Sequence, residues 1–263
     1  MGKTSDQAEL VPYQAIFALL GRGEVSPGSV ALFGWGDLLE FLTGCLVTLP
    51  DADVLAAAVA RVAKVFGGMT ARVDETGCGR CFDTGEVGLL RTPDIPVPAD
   101  LARRVAQKHP SHWDDQPAII RRVLPELVVI LAEGAGERES AIMARGLAAA
   151  GWPQWPRPQA QAVEGFLDAW WTRTLRTQSP PTSAAEVFES CVTAGSSVTP
   201  WLARWEMENG PIARQHLNES VHWWREELDS GDSPFSWWWG AEPDAEGRAA
   251  WQEVRLWLAG QGR

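Results

Sequence analysis

Thirteen of the fifteen tryptophans fall in the last 113 residues of this 263-residue chain. They come in clusters: Trp152 with Trp155, Trp170-Trp171, Trp201 with Trp205, Trp223-Trp224, Trp237-Trp238-Trp239, then Trp251 and Trp257. Each indole can bury on the order of 200 Å² and carries an N–H that wants a partner when dry. Residues 151–263 must therefore build a core around these rings or present them to another molecule. The length suffices for one large core or two modest ones. In Trp152-Pro-Gln-Trp-Pro-Arg-Pro158, three prolines restrict themselves and the residues before them. This segment sets the expected boundary between a helical lobe over 1–150 and a tryptophan-rich helical lobe over 151–263.

Helical periodicity runs through both parts and predicts an all-α fold, an irregular two-lobed bundle. The clearest stretch is 51–66, where Val54, Ala58, Val62 and Val65 share a face with Leu55, Val59 and Phe66 beside it, and Gly67-Gly68 ends it. Short helices are expected over 12–20 and 37–46, and longer ones over 98–108, 117–133 and 137–150. Pro125 is expected to kink or divide the second of these, because it removes a donor and crowds the preceding turn. Five more segments follow at 158–176, 183–193, 200–208, 211–228 and 243–259. Their starts are marked by the Ser183-x-x-Glu186 capping-box spacing and by Thr199-Pro200. Residues 69–91 break the pattern with Gly77, Gly79, Gly85 and Gly88, and predict a Gly/Cys-rich loop or hairpin insertion.

The net charge of −11 divides into −5 before residue 150 and −6 after it. Nucleic-acid and anionic-membrane affinity both draw on clustered Lys and Arg, so neither partner is expected. The N-terminus is polar and the longest apolar runs are far short of about 20 residues, which predicts a soluble cytoplasmic protein without a membrane span. Four cysteines are no disulfide scaffold; in a reducing compartment they are thiols or metal ligands. Cys45 and Cys191 lie in apolar helical stretches and are expected as packing residues.

The sharpest local motif is Thr76-Gly77-Cys78-Gly79-Arg80-Cys81, where glycines let two thiolates turn toward one cation. His109 and His112 follow after 27 intervening residues. Cys78, Cys81, His109 and His112 together supply the soft sulfur and borderline nitrogen set that zinc accepts, while the same letters also fit a redox-active dithiol or two inert thiols in a turn with histidines exposed at a helix end. With all four ligands the site is closed and structural; with one histidine fewer it keeps a water and can hydrolyse a substrate.

Glu219, His222 and Glu226 share one helical face, but the Glu-x-x-His spacing occurs only once, which describes a solvated acidic face better than a metal cage. No G-x-S-x-G, P-loop or dinucleotide fingerprint is present. Trp237, Trp238 and Trp239 cannot all face one side of an element. At least one is therefore a natural anchor for a protein partner or a platform for a sugar or flat ligand. The function expected from these features is a non-enzymatic interaction protein that docks a partner on its tryptophan-rich lobe. The alternative is a zinc enzyme, or a small-molecule binder using a tryptophan-lined pocket.

Overall fold

The structure is a computed structural model and describes residues 51–136, 139–230 and 244–261. The helices expected over 12–20 and 37–46, Cys45 and the Trp237-Trp238-Trp239 run lie outside the described residues. Within them the fold is all-α, as the periodicity predicts. The helices are α1 (Asp51–Phe66), α2 (Thr84–Arg91), α3 (Ala99–Gln107), α4 (Gln116–Glu133), α5 (Glu139–Ala149), α6 (Arg157–Arg176), α7 (Ala184–Gly195), α8 (Thr199–Met207), α9 (Pro211–Ser230) and α10 (Asp244–Gln261). Two 3-10 turns interrupt them at Pro110–His112 and Trp152–Gln154, and no strand occurs among the described residues. No helix there is long and apolar enough to cross a membrane.

On α1 the buried stripe is Leu55, Val62 and Phe66, with Val59 partly covered, while Val54 is 42% exposed. The core face is therefore turned slightly from the one the apolar pattern suggests, because spacings of four, seven and eleven residues keep one face of a helix together. Gly67 N–H bonds to the Ala63 carbonyl at 2.9 Å and Gly68 takes a φ of +74°, which ends the helix as expected.

The insertion differs from its expected form. Residues 69–83 are irregular, but 84–91 are helical. Asp83 accepts the Glu86 N–H at 2.8 Å and Glu86 accepts the Asp83 N–H at 3.0 Å, a complete capping box that starts α2 despite its two glycines. Val87 and Leu90 then bury its inner face. Pro125 does not divide α4, because Ile119, Ile120, Val123, Leu124, Leu127 and Leu131 are buried on both sides of it and hold the helix together. The Val198 backbone, not Thr199, caps α8; the Thr199 hydroxyl instead donates to Glu253 at 2.6 Å.

A single apolar cluster takes residues from both sides of the 152–158 segment where the sequence places a boundary. Helix α1 packs on α6 and α4, and α5 on α7 and α3. Trp155 meets Phe66 edge-on at 5.7 Å between ring centroids. Farther along, Trp171, Phe188, Trp205 and Trp224 form a four-ring cluster from α6, α7, α8 and α9, with centroids 5.0 to 5.8 Å apart. The indole N–H groups of Trp152, Trp155, Trp171 and Trp205 donate to the carbonyls of Ala194, Ala150, Trp201 and Ala213. Most tryptophans in the described part of the chain are buried core residues, although the indole N–H groups of Trp113, Trp201 and Trp224 find no partner there.

Candidate metal centre

The Cys-x-x-Cys segment is held by a buried carboxylate. Glu75 is fully buried; one of its oxygens accepts the N–H groups of Gly77 and Asp114, and the other accepts that of Asp115, each at 3.0 Å. The Asp114 carboxylate in turn accepts the Thr76 N–H at 3.1 Å and the Thr76 hydroxyl at 3.0 Å. These two donors hold Asp114 below the ordinary aspartate range. Trp113 closes the junction from below, packed on Phe82 with 4.4 Å between ring centroids. Gly77 sits at a φ of +63°, and a Cβ there would lie 2.9 Å from the Trp113 ring, so both backbone and space demand glycine. Loop 75–82 and segment 112–115 are thus joined across nearly forty residues of chain.

Within this frame the Cys78 carbonyl accepts the N–H groups of Cys81 at 2.8 Å and Phe82 at 3.0 Å, which folds the four residues into a tight turn. The Arg104 guanidinium lies 5.5 Å over the Phe82 ring, donates to the Cys81 carbonyl at 3.3 Å and pairs with Glu86. The Arg80 amide, the Cys81 thiol and amide and the Arg80 charge hold the Cys78 thiol below its ordinary value. His112 comes in from the 3-10 turn before α4, whose N-cap is Asp115. The ligand atoms of Cys78, Cys81 and His112 all lie within 4.8 Å of one another, and all three residues are half-buried. His112 Nδ1 is buried and makes no hydrogen bond.

Tetrahedral zinc, with bonds of about 2.0 to 2.3 Å, sets its ligand atoms roughly 3.5 to 3.8 Å apart. The observed separations reach that after side-chain rotations of about an ångström. Of the four residues singled out in the sequence, three converge. His109 stands outside this group: its backbone is extended, and Nδ1 accepts the Ser111 N–H at 3.2 Å and faces the Ser111 hydroxyl at 2.8 Å.

The other candidates fare differently. Glu219 and His222 are exposed, and Glu219 accepts from Gln215 at 2.9 Å; the Glu226 side chain lies outside the described residues, as do Trp237, Trp238 and Trp239. Cys191 is fully buried, and its thiol is pushed well above its usual value by that burial, as expected of a packing residue. His216 is buried, with Nε2 2.8 Å from the Thr177 carbonyl. A tryptophan-lined opening does exist, a shallow groove of about 850 Å³ beside Trp152 and Trp201. Its polar wall includes Asp168 and Arg204, which pair with each other at 2.5 Å.

Sequence reasoning missed Glu75. It has no ligand spacing and no charged partner, and the amides it accepts from leave no trace in side-chain chemistry. Beside His112, Asp114 ties the loop through Thr76 and Asp115 caps α4 through the Ala118 N–H, a division that side-chain type and spacing do not reveal. The chain matches no protein-family model, no curated protein and no solved structure.

Proposed function

We propose that the protein binds a zinc ion through Cys78, Cys81 and His112, and that the ion has a structural task, fastening the 69–83 loop to the head of α4. The observation that carries this reading is the convergence of two sulfurs and a His112 ring nitrogen from segments 31 residues apart. The buried His112 Nδ1 without a hydrogen bond adds to it, because an imidazole not committed to another partner is available to a metal. A structural task fits better than a hydrolytic one. Glu75 is engaged by three amides and Asp114 by Thr76, so neither carboxylate of the junction is free to activate a metal-bound water.

Elemental analysis of the purified protein tests this. Zinc is expected at one per chain, and Cys78→Ser and His112→Ala should each lose the metal and thermal stability together, since metal binding and folding are linked. His109→Ala measures whether that ring enters the fourth tetrahedral position; retained stoichiometric zinc assigns the position to water. A wild-type protein that carries no zinc and gains no stability when zinc is added would end the proposal.

A further inference from the structure

The same two cysteines have a geometry that a metal does not require. The hydrogen bond from Cys81 N–H to the Cys78 carbonyl closes a four-residue turn, and such a turn keeps its end Cα atoms within about 7 Å. A disulfide needs Cα atoms roughly 4.4 to 6.8 Å apart, a range that a hydrogen-bonded turn reaches. The two sulfurs already lie within 4.8 Å of each other. Both residues are half-exposed. Cys191, by contrast, is sealed in the core against the Leu167 carbonyl.

We infer that Cys78 and Cys81 are a site of reversible oxidation by peroxides. The thiolate of one cysteine attacks the peroxide O–O bond, giving a sulfenic acid and releasing the other oxygen as alkoxide or hydroxide, which takes up a proton. The other thiol then displaces water from the sulfenic acid, forming the 78–81 disulfide. The two sulfurs together lose two electrons and the peroxide gains them. A thiol reductant reverses the change by exchange through a mixed disulfide. The disulfide offers no thiolate, so on the zinc reading above, on which this part of the inference rests, oxidation also discharges the ion.

The experiment treats the full-length, zinc-loaded protein with hydrogen peroxide in slight excess. Released zinc is followed with a chromogenic chelator, and each cysteine is read by alkylation and peptide mass spectrometry. The expected result is a 78–81 disulfide formed before Cys191 reacts, one zinc released per disulfide, and recovery of both on adding dithiothreitol and zinc. In Cys81→Ser and in Cys78→Ser the sulfenic acid should persist on the remaining cysteine of the pair and be trapped by dimedone. If the protein holds no zinc yet forms the disulfide, the metal reading fails and the redox site stands. If zinc is bound but Cys78 and Cys81 stay alkylatable after peroxide, the redox site fails and the metal reading stands.

Discussion

Glu75 shows how much one residue can fix. A fully buried carboxylate that accepts three amide N–H groups substitutes for a strand or helix that the loop does not have. Hydrogen bonds to charged groups contribute about 1.5 to 3 kcal/mol, and a buried donor left without a partner costs about 1 to 3 kcal/mol. Glu75→Ala should therefore lower the unfolding free energy by about 3 kcal/mol or more in urea titration. It should also weaken zinc binding by about 10- to 100-fold, as loss of support around a metal site typically does; unchanged affinity would show that the ligands need no such frame. The convergence of Cys78, Cys81 and His112 was legible because cysteines and histidines at close spacing have few other reasons to meet. His109 lies outside that group for a local reason: as the N-cap of the 3-10 turn it has extended backbone, and its ring meets Ser111 while His112 lies beside the cysteines.

At the level of elements, two helical glycines with opposite surroundings make a paired test. Gly146 on α5 faces α3 so closely that a Cβ would stand 2.2 Å from the Ala106 carbonyl oxygen. Gly165 on α6 has nothing within 4 Å of the same position. Gly146→Ala must push two helices apart, and overpacking of this kind costs roughly 1 to 3 kcal/mol or more. Gly165→Ala should stabilise by up to about 1 kcal/mol through helix propensity alone. Thermal unfolding should thus move in opposite directions, by a few degrees each way for a chain of this size. Apolar period and proline-glycine punctuation made most helices legible, including the α7 cap at Ser183, which accepts the Glu186 N–H at 3.2 Å. They missed α2, where the capping box outweighs two glycines; at Pro125 the helix runs on undivided, because burial on both sides outweighs a missing donor.

For the whole molecule, the decisive feature is that the aromatic residues tie helices rather than decorate them. The Trp152–Gln154 turn interrupts the helices, yet Trp155 packs on Phe66 of α1 and lies 4.9 Å beneath the Arg121 guanidinium of α4. Sequence punctuation marks where a helix must stop, and carries no information on whether the core stops with it. A shared core predicts shared unfolding. Trp171→Ala should cost about 3 to 5 kcal/mol and Ile119→Ala about 2 to 5 kcal/mol. In native-state hydrogen exchange, each should lower the protection of the slowest amides of α4 and α7 alike. A variant that loosens only its own side of residue 151 would show that the two parts unfold separately.

The packing of α1 on α6 also sets an order of events at the ribosome. Cys78, Cys81 and His112 have all been made well before α6 is, whereas the inner face of α1, with Val62 and Phe66, is fully covered only by a helix that ends about 110 residues after α1 does. At about 5 to 20 residues per second that interval is roughly 5 to 20 s. During it α4 alone can cover the apolar stripe, and on the zinc proposal an ion supplied at that moment would fasten the loop before the tryptophan-rich half arrives.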